Sequence, residues 1–322
     1  MSTTEKLLHL LAQSNDYVSG QELANQLNVS RTAIWKAIKN LQDAGYTIVS
    51  KQKKGYRLSD NNKLNAALIK KYLAPTLTDI DFEVYQSLTS TNIYAKNQAN
   101  NLVLKRPLVI LAQQQTAGYG RHGRTFCSPQ TGIYLSLVLN NPNPKFTPGL
   151  ITTAAAVALV QTIEKKLQLS AQIKWVNDIL IAQKKVCGIL TEGIVDLENR
   201  SLKQVVLGCG INYLTDLNEL PPEIQQRSGS LKEAALATKV SSNEFVATFL
   251  NEFFEIYRNY PTVNFMDNYR QHCCLINQIV TLSQATKEFK GVVVDINDQG
   301  ELVLDNGQTF NSGEVIKVRP LY

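Results

Sequence analysis

Along the first sixty residues, apolar positions recur at a helical period and then give way to short alternating runs. Leu7, Leu8, Leu10 and Leu11 mark one face of a first helix. Ser19 opens Ser-Gly-Gln-Glu, a capping-box pattern: its hydroxyl accepts from the Glu22 amide, and Glu22 returns the bond. The helix so begun turns Leu23, Ala24 and Leu27 inward. Asn28 and Val29 make a short turn, and Ser30 caps the next helix. There Ile34, Ala37, Ile38 and Leu41 follow the i, i+3, i+4, i+7 spacing of one buried face. Gly45 suits the left-handed residue past its end. Two short strands, Tyr46–Val49 and Tyr56–Leu58, flank the stretch Ser-Lys-Gln-Lys-Lys-Gly.

Ser59–Lys63 is polar and turn-forming, a linker by composition. From about residue 64 to 270, strand-like and helix-like patterns alternate. Val109–Ala112, Tyr134–Leu139, Val186–Glu192 and Val205–Asn212 read as strands; Ile151–Leu167 and Ser242–Tyr260 read as helices. The run Thr152–Val160 holds four alanines and reads as a buried helix. This order predicts an α+β domain whose antiparallel or mixed sheet carries helices on one face. Beyond Leu275 come the short strands Ile279–Leu282, Glu288–Ile296, Leu302–Leu304 and Val315–Val318. Asn297–Gly300 and Asn306-Gly307 supply the turns. This tail predicts a small SH3-like β-barrel. The expected domain limits are 1–62, 63–272 and 273–322.

A short helix, a tight turn and a longer helix form a helix-turn-helix unit, whose second helix enters the major groove. The outer face of that helix carries Arg31, Thr32, Lys36, Lys39 and Asn40, with Ser30 at its start. Arg and Asn suit base edges, and Lys suits phosphate. The basic hairpin that follows, with Lys51, Lys53, Lys54 and Arg57 and no acid among them, suits a wing on phosphate or the minor groove. Read alone, the same pattern also describes a small helical domain that binds protein through a solvated basic face.

Composition narrows the class. The chain has 322 residues, 44% hydrophobic and 19% charged, which fits a soluble globular protein of two or three domains. A net charge of +6 permits a nucleic-acid partner without requiring one. Five cysteines without regular spacing argue against a disulfide framework, and three scattered histidines give no zinc pattern. The pair Cys273–Cys274 reads as buried packing. The N-terminal apolar run is too short for a signal peptide, and no stretch approaches the roughly 20 apolar residues of a membrane helix. A cytoplasmic protein with no membrane partner is expected.

Four motifs carry chemistry. Gly118-Tyr119-Gly120-Arg121-His122-Gly123-Arg124 lets backbone amides approach a ligand, and its arginines stay charged near neutral pH. The loop suits a carboxylate or phosphate; alone, it is equally a flexible basic loop. It lacks the Gly-Lys-Ser/Thr ending of a Walker A loop. Lys174-Trp175-Val176-Asn177-Asp178 sets a lysine beside Trp, or is simply a strand end with Trp in the core. Gly208-Cys209-Gly210-Ile211-Asn212 is either a ligand-side turn or a packing turn. Ser90-Thr91-Asn92 alone is an ordinary N-cap cluster.

In this order, with Gln115 before the glycine loop and Gly188-Ile189-Leu190-Thr191-Glu192 after the lysine, these motifs resemble the catalytic domain of biotin protein ligases. Residues 30–36 and 53–58 resemble the winged helix-turn-helix of bacterial biotin repressors. The resemblance covers essentially the whole chain. Three positions depart from the family pattern. Tyr119 replaces the first Arg of the loop, Val176 replaces Pro, and no Trp stands near Ser228–Ser230 to stack on adenine.

The resemblance implies a biotin–[acetyl-CoA-carboxylase] ligase that is also a biotin-responsive repressor. Biotin and ATP, with Mg2+, would form biotinyl-5′-AMP, and a lysine of a carboxylase carrier domain would then take the biotin. By motif match, Lys174 and Arg121 are the catalytic candidates. Biotin would be held by Ser90, Thr91, Asn92, Gln115, Gly118, Tyr119, Gly120, Arg121, Lys174 and Gly188. The adenylate would be held by Arg121, Arg124, Lys174, Asn177 and Asn212. Ser30, Arg31, Thr32, Lys36, Lys51, Lys53 and Lys54 would meet operator DNA. The adenylate is expected to act as corepressor by favouring a homodimer through the central sheet. Three other readings stay open: a repressor that senses biotin without ligase activity, a ligase without DNA binding, and a lipoate ligase of the same catalytic fold.

Overall fold

In the computed structural model, which describes residues 2–14, 16–60, 62–101, 104–140, 146–196, 201–262, 264–284 and 287–320, the chain forms two units. One comprises residues 1–76 with 241–248, the other 77–240 with 249–322. Asn61, inside the segment read as a linker, lies outside the described residues.

The first unit begins with α1 (Thr3–Gln13), started by a full capping box between Ser2 and Glu5. α2 (Gly20–Leu27) has only half of the box expected there. Ser19 Oγ accepts from the Glu22 amide at 3.1 Å, but Glu22 instead accepts from the Gln26 carboxamide at 3.4 Å. Asn28, at φ +52°, takes the left-handed turn into α3 (Arg31–Asp43), which Ser30 caps. The inward residues of the three helices, among them Leu7, Leu11, Leu23, Ile34, Ile38 and Leu41, are buried together with Ile48 and Leu58. Each such aliphatic side chain contributes roughly 1.5–3 kcal/mol on burial. Gly45 stands at φ +86°, as its position after the helix predicts. β1 (Thr47–Lys51) and β2 (Gly55–Ser59) pair antiparallel, Thr47 opposite Ser59. They run slightly further than the sequence pattern indicates. α4 (Ala66–Tyr72) is capped by the Asn65 carboxamide, and the Asn65 amide donates to Asn243 Oδ1 at 2.8 Å.

The wing is pinned through Gly55. Val18 and Tyr56 exchange two backbone hydrogen bonds of 2.8 Å. Gly55 lies at φ +105°, and a Cβ there would stand 2.0 Å from the Val18 carbonyl oxygen. Gly55→Ala is therefore expected to open this bridge and destabilise the wing by about 1–3 kcal/mol. A gel shift should weaken while the activity of the second unit holds. An alanine variant that melts and binds like wild type would show that the bridge is dispensable.

The second unit is built on a seven-stranded sheet. In chain order the elements are β3 (Asp81–Tyr85), α5 (Thr91–Asn101), β4 (Leu108–Ala112), β5 (Ile133–Asn140), α6 (Pro148–Leu167), β6 (Gln172–Lys174), β7 (Asp178–Ile181), β8 (Lys184–Asp196) and β9 (Ser201–Ile211). The strand order is β3-β4-β5-β9-β8-β7-β6, with only the β3–β4 pair parallel. Helices lie on both faces, not on one as the sequence pattern suggests. Neighbouring residues of a strand point to opposite faces. Thr191 of β8 accepts from Thr152 of α6 at 2.7 Å, while the next residue, Glu192, accepts from Asn92 of α5 at 2.9 Å. α6 is the predicted buried alanine helix. Among the described residues no helix is long and apolar enough to cross a membrane.

After β9 come α7 (Pro222–Gln225), α8 (Lys232–Thr238), α9 (Ser242–Asn259) and α10 (Met266–His272). The C-terminal strands are β10 (Gln278–Gln284), β11 (Lys287–Ile296), β12 (Leu302–Leu304), β13 (Thr309–Phe310) and β14 (Glu314–Pro320). They form one antiparallel sheet in the order β13-β12-β11-β10-β14. β13 and β14 stand at its two ends, so among the described residues strand pairing does not close the expected barrel. This sheet packs against the β6 end of the large sheet and α10: the Trp175 indole donates to the Gly300 carbonyl at 3.0 Å, and Arg270 donates to that of Ile296 at 2.7 Å.

Candidate active site

The α5 face of the large sheet holds a cavity of about 470 Å³, within the usual size of small-molecule sites. It is lined by Ser90, Thr91, Asn92, Gln115, Tyr119, Gly120, Arg121, Arg124, Lys174, Asn177, Gly188 and Asn212. Every ligand candidate of the sequence except Gly118 thus reaches one space. Gly118 packs beneath the loop, where a Cβ would stand 2.5 Å from Ser128 Oγ and 2.8 Å from the Gln115 carboxamide nitrogen.

Ser90 starts α5, its hydroxyl accepting from the Ile93 amide. Gln115, just past β4, accepts from the Thr91 amide (2.8 Å) and donates to Ser128 Oγ (3.0 Å). Its orientation is therefore set from both ends. Asn92 is buried; its oxygen accepts from Ser136 Oγ at 2.6 Å and its nitrogen donates to Glu192. Glycines along β8 and β9 keep the floor thin. A Cβ on Gly210 would meet the Phe126 ring at 2.5 Å, and one on Gly208 would meet Asn92 at 2.2 Å.

The glycine loop is held at several points. Gly120 and Phe126 amides donate to the Arg124 and Gly118 carbonyls. Arg124 forms a two-pronged ion pair with Glu314 of β14, so this arginine faces the C-terminal sheet. Tyr119 donates to Glu192 at 2.7 Å, and the Lys96 ammonium pairs with the other Glu192 oxygen at 2.8 Å while standing over the Tyr119 ring. Burial would raise the Glu192 carboxyl, but hydrogen bonds from Lys96, Tyr119 and Asn92 outweigh it and hold the group below its ordinary value. Burial raises the Tyr119 phenol, which stays a neutral donor.

Lys174 ends β6, opposite Asp178 in register. Among the described residues its ammonium takes no hydrogen-bond partner, although its charge acts on Glu314. The loop it begins is fixed by Trp175 on Gly300, Tyr269 on the Val176 carbonyl (3.2 Å) and Asn177 on the Ile189 carbonyl (2.8 Å). Arg121 donates to Asn177 at 3.3 Å. Burial lowers its guanidinium from the ordinary value, against the opposing pull of Asp178 and Glu314. Asn212 uses its carboxamide to bind the Gly229 carbonyl at 2.9 Å, fixing the segment that lacks the family's Trp.

Lys185, Arg227, Leu220, Ile224 and Phe126, which no sequence motif singles out, also line the cavity. Lys185 pairs with Asp178 at 2.6 Å and stands over the Phe126 ring. Nothing in the local pattern marks these five. Glu192 ends the Gly188–Glu192 motif, but its partners Asn92 and Lys96 are about a hundred residues away. With Arg121, Lys174, Lys185 and Arg227 against Asp178 and Glu314, the walls suit an anionic ligand. Cys187 and Cys209 also line the cavity, but burial pushes both thiols far up, so neither is a thiolate nucleophile.

The nucleic-acid candidates Ser30, Arg31, Thr32, Lys36, Lys51, Lys53 and Lys54 are all exposed, on the start of α3 and on the β1–β2 hairpin of the first unit.

Three sequence families match the chain in order. An HTH domain matches residues 3–57, the Biotin/lipoate A/B protein ligase family residues 84–212, and the Biotin protein ligase C terminal domain residues 275–318. The bifunctional ligase/repressor BirA of Escherichia coli is 28% identical over 93% of this chain and 91% of its own. The biotin protein ligase of Aquifex aeolicus, in complex with biotin and ATP, shares the fold at TM-score 0.59 and 22% identity, over 74% of this chain and 99% of that one. The bifunctional ligase/repressor BirA of Bacillus subtilis is 34% identical over 95% of each chain. The chain belongs to the biotin protein ligase family, in its bifunctional ligase/repressor form.

Proposed function

We propose that the chain joins biotin to ATP and passes the biotin to a lysine of a carboxylase carrier domain, with biotinyl-5′-AMP as corepressor. One observation carries this reading. A single cavity is lined both by the interlocked hydroxyl and amide groups of Ser90, Thr91 and Gln115 and by the cations Arg121 and Lys174. The first set matches a neutral polar ureido head; the second matches a carboxylate meeting a phosphate.

In the first step a biotin carboxylate oxygen attacks the α-phosphorus of ATP, and pyrophosphate leaves. In the second, the carrier amine attacks the acyl carbon, AMP leaves and the amine proton passes to solvent. Lys174 bridges the carboxylate and the α-phosphate, Arg121 holds the reacting anions, and Tyr119 and Gly120 of the glycine loop cover biotin beside Gly188, with Gly118 packed beneath them. Asn177 and Asn212 shape the nucleotide side, and Arg124 assists from the rim. Catalysis rests on positioning and charge rather than on an enzyme nucleophile. Magnesium bound with the triphosphate would neutralise charge on the leaving pyrophosphate. Among the described residues no group of three His, Cys, Asp or Glu side chains could hold a metal alone, but Asp178 offers one carboxylate on the wall, and magnesium commonly needs only one or two beside phosphate.

The functional domains are taken as 1–62, 63–272 and 273–322. The adenylate favours a homodimer that presents two winged domains to a pseudo-palindromic operator in the cytoplasm. Transfer of labelled biotin to a purified carrier domain, with ATP and magnesium, tests the enzyme, with lipoate as competitor. Transfer that resists lipoate is the expected result. No transfer by folded protein points to a sensor without ligase activity. Gel shifts with and without biotin and ATP test the corepressor; binding that ignores both would exclude it.

A further inference from the structure

Trp35 is 58% exposed, the one aromatic side chain among the exposed large apolar residues described. It lies in the second turn of α3, between Arg31 and Lys39 at spacings of four, so the three form one row on the helix. Thr32 and Lys36 are the exposed neighbours. The Lys39 ammonium stands 5.7 Å from the Trp35 ring centroid. Leaving a bare indole in water has no value to the core, which Ile34, Ala37, Ile38 and Leu41 already fill. The surroundings say what covers it: α3 carries no acid before Asp43, and the neighbouring hairpin adds Lys51, Lys53 and Lys54. A second copy of this basic face would be repelled; a polyanion would be drawn in.

We propose that Trp35 is a specificity-determining residue that reads thymine in the major groove of the operator. The inference rests on the reading of residues 1–62 as DNA-binding. In the major groove thymine shows a C5-methyl group beside the O4 acceptor. An indole matches both, with an apolar face for the methyl and an Nε1–H to donate to O4. Residues near the N-terminus of a recognition helix are those that reach base edges, and Trp35 is the fifth residue of α3. Lys39, held beside the ring, is then positioned for a flanking phosphate.

The test selects duplexes from a randomised pool with the full chain, biotin, ATP and magnesium. Each thymine of the winning duplex is then replaced singly by deoxyuridine, which removes only the methyl. Wild type should lose affinity by roughly fourfold at one position of each half-site, the worth of about one buried methyl group. Trp35→Ala should bind the thymine and uracil duplexes equally and wild-type thymine DNA more weakly, and Trp35→Phe should restore part of the discrimination. Fluorescence provides a second measurement, since the chain has two tryptophans and Trp175 is only 4% exposed. The selected duplex should shield wild-type emission from iodide. If uracil costs wild type and Trp35→Ala the same at every position, or iodide quenches free and bound protein alike, the proposal is wrong. If no sequence is enriched, the DNA-binding reading fails with it.

Discussion

Lys174→Ala is expected to lower adenylate formation by roughly 10²–10³-fold, the cost typical of removing one preorganised electrostatic contact. A carboxylate and a triphosphate repel. At about 4 Å two like unit charges oppose each other by ~4 kcal/mol at an intermediate dielectric. A fixed ammonium between them offsets this at the moment of attack. Lys174 is suited to the task because its backbone cannot drift. It closes β6 opposite Asp178, and the three residues after it are tied to Gly300, Tyr269 and Ile189. The side chain itself is half-buried and among the described residues no hydrogen bond depends on it, so the variant should melt within about 0.5 kcal/mol of wild type. Pyrophosphate release in a single turnover and transfer to the carrier domain should fall together. Lys174→Arg keeps the charge but spreads it over a planar fork, and should recover only part of the rate. An alanine variant that forms adenylate at the wild-type rate would move the role to Arg121.

Much of the site was readable because its chemistry is contiguous in sequence. Ser90-Thr91-Asn92, the glycine loop and Lys174–Asp178 each bring donor groups and turn-forming residues together within seven residues, so their type and order carried information before any fold was known. The first three helices of the first unit were readable for a related reason: each has one buried stripe and a serine at its start. The misses share a physical cause. β3 is an edge strand of five residues with no alternation in burial, and β6 and β7 have three and four residues, too few to show a period. The Arg124–Glu314 pair spans 190 residues and the Tyr119–Glu192 bond spans 73, so no local pattern could pair them. The two-faced sheet was missed because Thr191 and Glu192 read as one motif, while the pleat sends them to opposite helices.

That last pair of residues explains the substitution in the glycine loop. Where the family usually has an arginine, this chain has Tyr119, beside a carboxylate that Lys96 already neutralises. A second cation there would meet Lys96; a neutral phenol takes the remaining Glu192 oxygen and offers its ring to the ammonium. Tyr119 and Glu192 thus latch the loop onto β8. A hydrogen bond to a charged group contributes about 1.5–3 kcal/mol. With Glu192 partly open to solvent, the lower end applies, which is about tenfold in the closed-to-open ratio. Tyr119→Phe should therefore raise the biotin Kd by up to about tenfold and speed tryptic cleavage after Arg121 or Arg124 by a similar factor. Glu192→Gln should do the same and add an acid signature. Because the Glu192 carboxyl sits below its ordinary value in the folded chain, its contribution is complete above the unfolded value and is lost as pH falls through the folded one. The stability gap between wild type and Glu192→Gln should accordingly narrow in acid. If Tyr119→Phe leaves both cleavage and biotin affinity unchanged, the loop is held by Arg124 on Glu314, and the tyrosine is a passive replacement.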